Sequence, residues 1–156
     1  MQFVFSMRVP VSDARAAVTG RLVSRGFRLT GPRRAVLDVL LDRSEPLSVA
    51  QIHARLRDGR INLVSVYRTV HLLSDLGVVR VADASTGSQR FELSGEFTRH
   101  HHHLICQRCG RIEDLEGCLL EEALEALNRR VRRSNGFQVT DHDVRLLGVC
   151  GRCASA

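Results

Sequence analysis

Residues 100–110 read His100-His101-His102-His103-Leu104-Ile105-Cys106-Gln107-Arg108-Cys109-Gly110, and Cys150-Gly151-Arg152-Cys153 follows near the other end of the same half. Each C-x-x-C pair presents two soft thiolates to one ion. Two pairs complete a tetrahedral shell that keeps no open position. The spacing therefore predicts a structural zinc site at Cys106, Cys109, Cys150 and Cys153, stapling together a small domain with a limited core. A redox dithiol is the competing reading. The opening MQFVFSMRVPV lacks a basic leader and a cleavage site, which favours metal over disulfides and a cytoplasmic location. Cys118 has no cysteine neighbour and reads as a small buried hydrophobe.

The histidine run enters a predicted strand, where successive side chains alternate between faces. His101 and His103 then share one side, and His100 and His102 the other, so one run can serve two metal sites. Imidazole suits several divalent ions, which leaves the metal open. A solvated, pH-sensitive patch is the plainer alternative. Further donors are needed. Glu121 and His142 are the distal candidates, and Glu92 and Glu96 stand near enough in sequence to join His101 and His103.

Working outward, residues 119–134 carry Leu119, Leu120, Leu124 and Leu127 at helical spacing, and Gly136 ends the helix. His103 to Cys106 and Arg111 to Leu115 read as strands around the first knuckle. Phe137 to Gly148 reads as a long strand or strand pair. Residues 94–99 read as a hinge. Ahead of it, helices are expected over 14–25, 31–42 (Thr30 as N-cap, Pro32 in the first turn), 49–57 (capped by Ser48) and 64–76. Ser44-Glu45-Pro46 is read as a turn. Val78 to Ala82 and Gln89 to Leu93 make a hairpin about a turn at 85–88. This is the winged helix-turn-helix plan with one extra helix in front, and the fourth helix is its recognition helix. The fold class is thus α+β. Residues 1–13 form a flexible tail, with Met7 a candidate start. A winged helix occupies 14–93, and a metal-binding dimerisation domain occupies 100–156.

Charge divides the same way. Residues 1–85 hold 13 Arg and 7 acids, whereas residues 86–156 hold 10 of each. All the excess positive charge lies in the winged-helix half, as a polyanion-binding module requires. Ser65, Tyr67 and Arg68 begin the recognition helix, where side chains reach base edges. Arg can pair with guanine and a Tyr ring can lie on thymine methyls. Arg28 and Arg33 suit phosphate contacts. No stretch approaches the roughly 20 apolar residues of a membrane span.

Taken together, Arg28-Leu29-Thr30…Arg33, Ser65-Val66-Tyr67-Arg68, HHHHLICQRCG, His142 and Cys150-x-x-Cys153 resemble the ferric uptake regulator superfamily over about residues 15–153. The resemblance implies a homodimer that binds an inverted-repeat operator in double-stranded DNA when loaded with a regulatory metal. It implies structural Zn(II) on the four cysteines. It implies an interdomain sensing site on His101, His103 and Glu92, and a second site on His100, His102, Glu121 and His142. No membrane partner or small-molecule substrate is implied. Iron- and peroxide-sensing members carry a histidine just before the third helix, where Pro46 stands here. Many zinc sensors carry a cysteine where Leu93 or Ser94 stands. His71, Asp83 or Glu96 is then needed to complete the sensing site. The unbroken HHHH resembles the zinc uptake regulators, so the regulatory ion is expected to be Zn(II), with Fe(II) or Mn(II) next. A closed four-cysteine shell and the missing H-x-E…P-C-x-x-C signature argue against a zinc enzyme. A metal buffer would leave the basic half unexplained.

Overall fold

The computed structural model describes residues 11–42, 45–83, 88–98, 101–116, 121–139 and 142–155, without the side chains of Asp83, Glu116 and Glu121. His100, Cys118, most of the hairpin turn and all but the last three residues of the expected tail lie outside the described residues. The chain divides into two compact units, Met1–Arg99 and His100–Ala156.

The first unit runs α1 (Val11–Ser24), α2 (Gly31–Leu41), β1 (Leu47–Ser48), α3 (Val49–Ala54), α4 (Leu63–Asp75), β2 (Val79–Asp83) and β3 (Arg90–Leu93). Helix α1 starts at Val11 rather than at 14, with Asp13 in its first turn where the helix dipole favours an acid. The residue expected to cap α2 does so differently. Thr30 occupies the N-cap with extended backbone, but its side chain accepts no capping bond. Ser48 does cap α3, in a reciprocal box with Gln51. Helix α3 is shorter than expected, stopping at Ala54. Asn62 caps α4 by accepting from Ser65 N–H at 2.9 Å.

The apolar faces of the helices converge. Val18 and Leu22, Val36 and Leu37, Ile52, and Val66 and Val70 are wholly buried in one cluster. Each such side chain contributes about 1.5–3 kcal/mol of transfer free energy. The wing closes this core from one side. Its strands run antiparallel in the order β1-β3-β2. The two-residue β1 was not foreseen. It pairs Leu47 with Phe91 and Ser48 with Arg90, a partnership too short and too distant in sequence to leave a local pattern.

The second unit runs β4 (His101–Cys106), β5 (Ile112–Glu116), α5 (Glu121–Asn135), β6 (Arg145–Gly148) and α6 (Gly151–Ala154). Its sheet order is β5-β4-β6, antiparallel between β5 and β4 and parallel between β4 and β6. Among the described residues, only 145–148 of the expected 137–148 strand is a strand; Phe137 to Gln138 is irregular and exposed. The buried apolar side chains described here are few: Ile105, Cys106 and Ile112. None of the described side chains of α5 is buried, and all four residues of β6 are exposed. A unit with so little core needs other means of holding together.

Candidate metal centres and nucleic-acid interface

Strand β4 delivers Cys106, and the chain turns at once to present Cys109. The turn depends on Gly110, whose φ of 67° no side-chain-bearing residue adopts readily. It is held by Gly110 N–H donating to Cys106 O at 2.8 Å. Strand β6 runs beside β4 and delivers Cys150, the N-cap of α6, whose single turn carries Cys153. Gln107 N–H donates to Gly148 O at 2.8 Å, carrying the parallel pairing into the knuckles. One sulfur from each of the four cysteines lies within 4.8 Å of every other. Cys109 Sγ and Cys150 Sγ are 3.8 Å apart. A tetrahedron with Zn–S bonds of ~2.3 Å places its sulfurs about 3.8 Å apart. The cluster therefore fits a structural zinc.

The thiols are unequal. Cys106 Sγ accepts the backbone N–H of Cys150 at 3.3 Å, and backbone donors, that one foremost, hold it down to about 6. The backbone N–H of Cys153 lowers Cys150. Cys153 is pushed up to about 12, chiefly because it bonds the Cys109 thiol and then that of Cys150. Crowded sulfurs thus hold a proton that an ion would displace.

His101, His102 and His103 alternate between faces as expected. The His101 and His103 rings lie 4.9 Å apart. His102, on the other face and buried, lies 5.4 Å from the His142 ring. His103 is buried with Nδ1 3.4 Å from Asp114 Oδ1, because the two residues are cross-strand partners in β4 and β5. Asp114 was missed from sequence. The signal was there: folding the two predicted strands back about the knuckle sets residue 114 opposite 103.

Three other candidates are engaged within the first unit. Glu92 is buried on β3 and accepts from Arg80 Nε at 2.7 Å. Glu96 pairs with Arg21, whose guanidinium also lies over Phe97. The His71 ring lies tilted against Tyr67 (centroids 4.2 Å apart) and meets Phe91 edge-on (6.3 Å). Glu96 and His71, like Glu92, thus have partners within the first unit. Pro46, buried, offers no donor. Glu121 is the first residue of α5.

On α4, the expected recognition helix, Tyr67 and Arg68 are exposed, and Ser65 is half-buried. Leu63 and Val64, also missed, stand out with Tyr67 at 47%, 57% and 53% exposure. An apolar face at the start of a recognition helix suits thymine methyls. Arg28 is exposed, and its carbonyl accepts from Arg33 Nη1 at 2.6 Å. Arg33 also lies over the Phe27 ring at 5.6 Å, so it is held rather than free to swing.

A winged helix joined to a cysteine-stapled unit rich in metal donors defines a class: DNA-binding, metal-responsive transcriptional regulators. Residues 24–147 match the model of the ferric uptake regulator family, and the chain belongs to that family. It is 35% identical to a ferric uptake regulation protein of Bacillus subtilis over 85% of this chain and 89% of the relative. It superposes on a zinc-bound manganese uptake regulator with a TM-score of 0.63 and 32% identity, covering 85% of this chain and 98% of the other. The Helicobacter pylori ferric uptake regulator shares the fold, with a TM-score of 0.78 at 21% identity over 97% of this chain and 99% of the other. Members of the family are dimeric transcriptional regulators rather than enzymes.

Proposed function

We propose that this protein is a cytoplasmic repressor of metal-homeostasis genes that binds an inverted-repeat operator when a divalent regulatory ion is held between its two units. The observation that carries this reading is the pairing of His101 and His103 on one face of β4, their rings 4.9 Å apart. It is a metal-type donor set apart from the four-cysteine staple, in a chain that also presents a DNA-reading helix.

His101 and His103, with Glu92 from the other side of the hinge, form the sensing set in this reading, and Asp114 faces the Nδ1 of His103 at 3.4 Å. Glu92 must share or release Arg80 to join it. A metal bridging Glu92 and the two histidines would select one separation of the two winged helices among several. Linkage then requires DNA to tighten metal binding by the factor that metal tightens DNA binding. His102 and His142, with His100 and Glu121, form the second site. The His102–His142 proximity supports it. The partner subunit is assigned to the exposed apolar edge of β6, where Leu146, Leu147 and Val149 are 46%, 61% and 49% exposed, and to the uncovered apolar stripe of α5.

The four histidines favour Zn(II) and control of zinc uptake. A second reading has its own support: a carboxylate beside two imidazoles also suits Fe(II) and Mn(II). Fluorescence anisotropy on the inverted repeat of the protein's own promoter, at fixed salt and buffered free metal, separates them. Activation at very low free Zn(II) makes the protein a zinc-uptake repressor. Activation by Fe(II) or Mn(II) alone replaces the metal and keeps the repressor. Absence of any metal dependence sinks the sensor reading.

A further inference from the structure

The two knuckles are joined by more than the ion they share. Besides the contacts among the sulfurs, two of the links among the described residues are backbone donors, Gln107 N–H to Gly148 O and Cys150 N–H to Cys106 Sγ. The third is a side chain. Arg108, between the two cysteines of the first knuckle, donates from its guanidinium to the backbone carbonyl of Cys153, the far cysteine of the second. That carbonyl belongs to the last turn of α6, where helix geometry supplies no intrahelical donor.

We propose that Arg108 is a latch on the zinc site, a positioning residue that holds the second knuckle closed on the first and slows loss of the ion. Zinc leaves such a site one thiolate at a time. A knuckle that swings away carries its sulfur out of reach of the ion. Arg108 opposes that swing by a route independent of the metal bond. It also brings a permanent positive charge to a site in which four thiolates outweigh one divalent ion. Arg108 and Cys109 are exposed, so chelators can reach the site and its opening can be timed.

The inference rests on the four-cysteine zinc reading, and the two fail differently. Wild-type protein purified without stoichiometric zinc would sink the reading itself. Given zinc-loaded protein, the rate of zinc transfer to an excess of a chromogenic chelator is compared for wild type, R108A, R108K and R111A. Arg111 lies on the same loop but pairs with Glu113, so it controls for charge alone. R108A is expected to lose zinc roughly tenfold faster or more, R108K to fall between it and wild type, and R111A to match wild type. The Co(II)-loaded R108A should show altered visible absorption, while Co(II)-loaded R111A should not. A wild-type rate in R108A, or equal acceleration in R111A, overturns the latch. Should R108A fail to fold, R108M decides, because Met keeps the length of the side chain and loses both the donor and the charge; a wild-type rate from R108M overturns the proposal.

Discussion

Tyr67 shows how one residue's role depends on its neighbour. Exposed aromatic side chains on a helix ordinarily sample several rotamers, but here the His71 ring lies against Tyr67 and itself abuts the buried Phe91. Replacing His71 with Ala should weaken operator binding about 2- to 12-fold, the range expected for losing an aromatic pair worth ~0.5–1.5 kcal/mol. Replacing it with Phe should restore most of the affinity; equal affinity for wild type and His71→Ala would show that Tyr67 needs no support. The cysteines make a second prediction at this scale. With Cys106 held down to about 6 and Cys153 pushed up to about 12, the free site at neutral pH has thiolate at Cys106 and still holds a proton at Cys153. Zinc must displace that proton, so affinity should rise as pH rises from about 6 to about 8, and proton uptake should accompany zinc loss on acidification. Competition titrations at three pH values would measure it, and a flat profile would contradict it.

Among the elements, α4 carries the proposed DNA contacts. Its start is exposed and apolar, and Asn62 secures its first turn by accepting from Ser65 N–H. Asn62→Ala should cost ~1 kcal/mol of stability and should also lower DNA affinity, because the reading end of the helix frays. Denaturant titration and anisotropy together check this; loss of stability without loss of affinity would separate the cap from recognition. Strand β6 carries the proposed subunit contact. It lies at the sheet edge with its apolar side chains in water. Leu147→Glu should convert dimer to monomer in light scattering and weaken operator binding. A dimer that persists would assign the interface elsewhere.

The molecule as a whole has two units of unequal self-sufficiency. The first has a continuous apolar core drawn from all four of its helices and its wing. The second has few buried apolar side chains among its described residues, and a four-sulfur cluster. Stripping zinc with a strong chelator should therefore abolish amide protection in β4, β6 and α6 while leaving α2 and α4 protected. Uniform loss across both units in hydrogen exchange would show that the first unit depends on the second.

Much of this was legible from composition and spacing. Two C-x-x-C pairs specify a closed sulfur site because coordination geometry, not the fold, sets the ligand count. Helical periodicity located α2, α4 and α5, and strand alternation sorted His101 and His103 from His102. Asn62 and Asp114 were not read, although each leaves a sequence signal, as a cap residue and as a hairpin register. Only the tertiary structure decided the rest. It brought the two knuckles, 41 positions apart from Cys109 to Cys150, to 3.8 Å. It paired β1 with β3, committed Glu96 to Arg21 and seated His71 on Tyr67. The physical reason is common to all of these. Periodicity reports which face of an element is apolar, whereas a polar side chain's partner is set by which elements happen to meet, and that depends on how the whole core packs.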